Sequence, residues 1–245
     1  MRLIVIGTGS NGNCYLLRDN NGSVLIIECG LTISKIKQGL DFNLNDIAGC
    51  LLSHSHSDHS KSAQQLTQLG IKIYTTPLTK QSLGFDSRNI IAIPPLRTLK
   101  LGAYTIKPFD CKHDVEIYGF LIEHKEMGTT LFMTDTYYCE YIFPGLNNII
   151  IEANYCENIV EEKMQNSQTN GFLRDRVIES HMSLQTCIKT LQEYDLSKVN
   201  NIVVIHLSDS HSDENLFLHE IRNATGKNVT IADKGKIINF DLTPF

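Results

Sequence analysis

A chain of 245 residues with 42% apolar side chains can bury one large core, which favours a single domain spanning 1–245 over two small ones. Its net charge of −5 and pI near 6.0 exclude a global positive field for long polyanions and leave room only for a local basic patch. The seven cysteines are scattered and lack a CxxC pair, which argues against a disulfide framework or a cysteine-rich zinc knuckle and places most of them as core residues in a reducing cytosol. The first apolar run is too short for a signal h-region or a membrane span, so a cytoplasmic location is expected.

Residues 2–6 read as a buried strand, and Gly7 to Asn13 as a glycine-rich turn feeding a second strand at 14–18. Glycines at a strand end let backbone N–H groups approach a ligand, which makes Ser10 and Asn11 candidate substrate contacts; a plain hairpin turn is the competing reading. Asn20-Asn21-Gly22 turns the chain into a third strand at 23–27, ending in Glu28-Cys29-Gly30. A short amphipathic helix over 33–40 precedes a strand at 47–53, and that strand runs into His54-Ser55-His56-Ser57-Asp58-His59.

Three imidazoles and a carboxylate packed this densely at the exit of an apolar strand are borderline ligands suited to zinc or a similar transition metal. In an extended exit loop His54 and His56 turn the same way and share one ion, while Asp58 and His59 point beyond the turn towards a second position. The spacing therefore suggests two metals.

Downstream, a helix is expected over 60–69; Lys61 at its start is either a phosphate contact or a solvated lysine. A strand at 71–75, a helix opened by Pro77 and running to 83, and a strand at 90–93 lead into Pro94-Pro95. Strands at 104–109 and 118–123 flank Asp110-Cys111-Lys112-His113-Asp114, and a hairpin leads to a strand at 129–133 that ends in Thr134-Asp135-Thr136. Cys111 and Cys139 lie close to these candidate ligands, so a redox or ligand role competes with plain packing. The apolar strand at 148–151 ends at Glu152, which emerges on the same rim if the strands run parallel.

The stretch 155–180 is charged and amide-rich, and reads as helix, loop and helix at the mouth of the site or as an oligomer segment. Its Arg174 and Arg176 are either phosphate contacts or part of a solvated face. His181-Met182-Ser183 precedes a helix over 184–194 with Ser183 as its N-cap, and a strand at 200–205 ends in His206-Leu207-Ser208. A helix at 213–224 and strands at 229–231 and 237–240 complete the pattern.

The HxHxDH motif after a strand resembles the metallo-β-lactamase superfamily. The opening GTGSNGNC and the late phrases HMSLQTC and VIHLSDS resemble its phosphodiesterase branch, which includes RNase Z, the YycJ-type exonucleases and the anti-Pycsar cyclic-nucleotide phosphodiesterases. The resemblance implies an α/β fold, the αβ/βα four-layer sandwich in which two mixed sheets pack face to face with helices outside. It also implies that His54, His56 and His113 hold one metal, that Asp58, His59 and His206 hold a second, and that Asp135 bridges them. Relatives place an aspartate where this chain has Glu28, so its usual bracing role is an open question.

Under this resemblance the chain is a dinuclear phosphodiesterase in which a metal-bridging hydroxide attacks a nucleotide phosphodiester, with Zn or Mn as its two divalent ions. Asp58 accepts a proton from the water, and His181, oriented by Glu152, donates one to the leaving alkoxide. The substrate is a cyclic nucleotide or a nucleic acid; no membrane partner is expected, and a homodimer is one of the open oligomeric states. Two alternatives stand beside this reading. One is a metal-dependent hydrolase of a thioester, lactone or β-lactam; the other is a non-catalytic metal-binding or redox module.

Overall fold

Apolar runs without polar interruption, such as Ile149-Ile150-Ile151 and Ile202-Val203-Val204-Ile205, need cover on both faces of a sheet. The computed structural model, which describes residues 1–165 and 180–243, supplies that cover with two sheets and helices outside each. Arg174 and Arg176 lie outside the described residues.

The first sheet contains β1 (Arg2–Gly7), β2 (Cys14–Arg18), β3 (Val24–Ile27), β4 (Ile47–Leu51), β5 (Ile73–Thr75), β6 (Ile90–Ala92) and β14 (Ile237–Asn239), in the order β14-β1-β2-β3-β4-β5-β6. The second contains β7 (Leu99–Leu101), β8 (Tyr104–Asp110), β9 (Tyr118–His124), β10 (Gly128–Met133), β11 (Leu146–Glu152), β12 (Asn201–Ile205) and β13 (Val229–Ile231), in the order β13-β12-β11-β10-β9-β8-β7. Both are mixed: β3, β4, β5 and β6 run parallel in one, and β10, β11, β12 and β13 in the other.

Period-two alternation sorts the side chains into three packed layers. Leu17, Leu25 and Ile27 of the first sheet meet Phe120, Phe132, Ile150 and Val203 of the second in the central core. The opposite face of β11 and β12, with Ile149, Ile151 and Val204, is covered by Leu184, Cys187 and Leu191 of α6 (Leu184–Glu193) and by Phe217 and Ile221 of α7 (Glu214–Thr225). On the far side, Leu16, Ile26 and Cys50 pack against Ile36 of α1 (Ile33–Gly39) and Leu66 of α3 (Ala63–Gln68). This is the four-layer α/β sandwich the sequence led us to expect.

Caps mark the helix starts where the sequence placed them. Ser183 accepts from Thr186 N–H, Asp213 from Leu216 N–H, and Thr76 from Thr79 N–H at the start of α4 (Pro77–Ser82). Two segments differ from expectation. The single helix expected over 60–69 is instead a helical turn, α2 (Ser57–Ser60), followed by α3, with Ser62 between them bonded to the Cys29 carbonyl. The short strand β7 follows the Pro94-Pro95 turn, where its three residues carry too little pattern to be read.

Candidate metal centre

The residues of HxHxDH do not share one loop. His54 and His56 leave β4 in extended backbone, whereas Asp58 and His59 sit on the turn α2, whose first bonds run from His59 and Ser60 N–H to the His56 carbonyl. That turn rests on the segment after β3: Cys29 N–H donates to the His59 carbonyl, and Asn13 N–H to the Asp58 carbonyl at 2.8 Å. The approach is close enough that a Cβ on Gly30 would stand 1.6 Å from the Asp58 carbonyl oxygen.

Two groups of donor atoms frame the site, and a third, Asp135, Glu152, His181 and His206, overlaps the second. His54, His56 and His113 place one donor each within 4.8 Å of one another, and so do Asp58, His59, Asp135 and His206. His113 reaches the first group from the loop between β8 and β9, Asp135 from the end of β10, and His206 from the end of β12. Asp135 faces both groups: Oδ2 is 4.0 Å from His54 Nε2, while Oδ1 is 3.3 Å from His59 Nε2 and 3.5 Å from His206 Nδ1.

Neighbouring groups fix how several imidazoles are turned. His54 Nδ1 is 2.8 Å from Ser53 Oγ, which leaves Nε2 towards the cluster, and His113 Nδ1–H donates to the Ser180 carbonyl at 2.9 Å. Glu28 occupies the brace position despite its extra methylene: Oε1 accepts from Ser53 N–H, and Oε2 lies 3.4 Å from His59 Nδ1. Its backbone is left-handed (φ 63°). Asp135 (φ 49°) and His206 (φ 58°) share that strained region, of order 1–3 kcal/mol each, as recurs at functional sites. His206 is held there by its own N–H donating to Thr8 Oγ1 and by Asn154 Nδ2–H donating to its carbonyl at 2.7 Å.

Charge at the centre is balanced in protons. Burial works against the charged imidazoles of His59 and His206, but the surrounding carboxylates together outweigh it, Asp135 and Glu28 at His59 and Asp135, Asp58 and Glu152 at His206; His59 is pushed well up and His206 up to about 10. Burial likewise works against ionised Asp58 and Asp135, yet the facing imidazoles hold both well below the usual carboxylate range. Burial pushes His54 and His113 down.

The donor set fits a divalent cation. His54 Nε2 is buried, finds no hydrogen-bond partner among the described residues and faces the cluster, where a cation would take up its lone pair. Imidazoles and carboxylates in these proportions suit zinc or a similar metal.

Beside the second group lies a further carboxylate. Glu152 is fully buried at the end of β11, and its Oε1 is 2.7 Å from His181 Nδ1 and 2.9 Å from His206 Nδ1. Burial opposes a charged His181, but Glu152 outweighs it and raises the imidazole above its ordinary value. The structure thus brings His181 and Glu152 together. Ser10, Asn11 and Lys61 are exposed on neighbouring loops. Asn13, Thr8, Asn154 and the Ser180 carbonyl were not identified from sequence. Only the positions of Thr8 and Asn13 in the glycine-rich turn could have flagged any of them.

Comparison with known proteins matches residues 7–137 to the family model described as the metallo-β-lactamase superfamily. The chain belongs to that superfamily. Among curated relatives, an exodeoxyribonuclease YycJ of Bacillus anthracis is 26% identical over 62% of this chain and 62% of its own length. An anti-Pycsar protein Apyc1 of Bacillus phage 010DV004 is 37% identical over 24% of this chain and 25% of its own length. The matched parts thus cover less than two thirds of either relative. The superfamily-fold protein YhfI of Bacillus subtilis superposes with a TM-score of 0.74 at 18% identity, covering 97% of this chain and 99% of that one. The superfamily is one of metal-dependent hydrolases, and the matched relatives carry nuclease and anti-Pycsar names.

Proposed function

We propose that this chain is a metal-dependent phosphodiesterase acting on nucleotide phosphodiester bonds, with two divalent ions, Zn or Mn, at the two donor groups. The observation that carries the reading is the Glu152–His181 pair, 2.7 Å apart, beside the two donor groups. Bound ions would supply an activated water and neutralise charge developing on the phosphate.

The remaining chemistry belongs to the chain. His54, His56 and His113 would hold the first ion, Asp58, His59 and His206 the second, and Asp135 would face both through its two oxygens. Asp58, with its side chain 25% exposed at the mouth, is placed to take a proton from water. His181, 21% exposed and raised above its ordinary value with Glu152 beside it, would give a proton to the departing alkoxide, a step worth about 10²–10⁴-fold. Such an acid suits a poor alkoxide leaving group and is superfluous for a thiolate. The substrate contacts proposed from the sequence are Ser10, Asn11, Lys61, Arg174 and Arg176.

The test is a parallel assay of metal-loaded protein on single- and double-stranded DNA, RNA, a cyclic-nucleotide panel, bis-p-nitrophenyl phosphate, nitrocefin and a thioester. Turnover confined to phosphodiesters is expected. Turnover of nitrocefin or the thioester alone would overturn the proposal.

A further inference from the structure

Two cysteines that take no part in the proposed chemistry, Cys111 and Cys139, lie on the loops that carry His113 and Asp135. An isolated antiparallel bridge pairs Lys112 with Tyr138, and Tyr137 N–H donates to the Lys112 carbonyl at 3.3 Å. One step along that register sets Cys111 opposite Cys139. Directly opposed residues of an antiparallel pair are about 4.5–5.5 Å apart at Cα, within the roughly 4.4–6.8 Å that an S–S bond spans. The two thiols are neighbours, and the Cys139 S–H group lies 3.8 Å from the Tyr141 carbonyl. Both sulfurs pack beside Phe109, Tyr141 and Phe143.

Access distinguishes this pair from the other cysteines in contact. Cys29 and Cys50 are also neighbours, but both are 0% exposed in the core. Cys111 is only half-buried, and Cys139 is 8% exposed.

We propose that Cys111 and Cys139 are a reversible dithiol–disulfide pair that staples the His113 loop to the Asp135 loop. With a hydroperoxide as oxidant, one of the two sulfurs attacks the terminal peroxide oxygen, the O–O bond breaks, and an alcohol or water leaves with the thiol proton, giving a sulfenic acid. The other sulfur then attacks that sulfenic sulfur, the S–S bond forms, and water departs; two electrons pass from the sulfurs to the peroxide. Exchange with a small thiol reverses the reaction. The staple joins the loop of a first-group donor to that of the carboxylate facing both groups, so it should slow the escape of bound ions. This consequence rests on the metal-centre reading; the disulfide itself does not.

The experiment treats metal-loaded full-length protein with hydrogen peroxide, then counts thiols under denaturing conditions, maps cross-linked peptides by mass, and times ion loss to a chelator. The seven free thiols should fall by two, with a Cys111–Cys139 peptide about 2 Da lighter than its reduced parts. Dithiothreitol should restore the count, and ion loss should be several-fold slower in the oxidised form. Cys29→Ser should keep the cross-link, while Cys111→Ser and Cys139→Ser, each checked for folding by circular dichroism, should abolish it. Retention of all seven thiols, or a cross-link through Cys29 and Cys50, would overturn the pairing in the unmodified chain, whatever the variants do. A Cys111–Cys139 bond with unchanged ion loss would overturn the staple. Failure of all phosphodiesterase assays would leave the thiol result intact.

Discussion

Glu152 is shared by two imidazoles at 2.7 and 2.9 Å, and the sharing fixes what each ring can do. His206 turns Nδ1 to the carboxylate and Nε2 to the cluster, where Nε2 is 3.5 Å from Asp58 Oδ2. His181 turns Nδ1 to the same oxygen, which frees its far nitrogen for a substrate. If His181 is an acid and not a ligand, His181→Ala should keep its full metal content by elemental analysis. It should lose about 10²–10⁴-fold in rate on an alkoxide leaving group and far less on a p-nitrophenyl ester. Loss of an ion in the variant would make His181 a ligand. The raised imidazoles give a second prediction. His59 and His206 carry protons at neutral pH in the metal-free protein, and an incoming cation must displace them. Affinity should therefore rise with pH until about 10, the value for His206, and fall as the medium is acidified. Calorimetric titration in buffers of different ionisation enthalpy should record proton release near neutral pH that shrinks on the alkaline side.

The elements show how far sequence order reaches. HxHxDH was legible because its donors are adjacent and follow an unbroken apolar strand, and the cap Ser183 because a cap acts within three residues. The helical turn at Ser57–Ser60 was not, since four residues carry no periodicity; tertiary contacts from Cys29 and Asn13 impose it. The Ser180 carbonyl that turns His113 was equally hidden, because a backbone oxygen has no letter of its own. Glu28 could be placed but not interpreted, because its reach to Ser53 N–H and His59 Nδ1 depends on where the fold brings the loop after β4. The turn's dependence on its cradle is testable. Gly30→Ala would drive a methyl into the Asp58 carbonyl, displacing α2 and the Asp58 and His59 donors. The expected result is a destabilisation of about 2–4 kcal/mol by denaturant titration. The second group should be emptied while ion binding at His54, His56 and His113 persists, as read by elemental analysis.

Across the whole molecule, the donors come from both sheets. His54, His56, Asp58 and His59 follow β4 of the first, while His113, Asp135 and His206 leave strands of the second. Ions held between them would tie the layers together, so binding should appear as stability. At a free-ion concentration of about 1,000 times Kd, one site adds about 4 kcal/mol, or about 8–16 °C in Tm for a chain of this size. A chelator should remove that gain, and in Asp135→Ala the difference between loaded and chelated protein should largely vanish, both measured by calorimetry. The split has a further consequence in time. Thr8 and His206 touch across 198 positions of sequence, and ribosomes add about 5–20 residues per second, so His54 waits about 8–30 s for His206 to be made. Throughout that interval the nascent chain has an incomplete set of donors. The proposed activity would therefore begin only after His206 has left the ribosome.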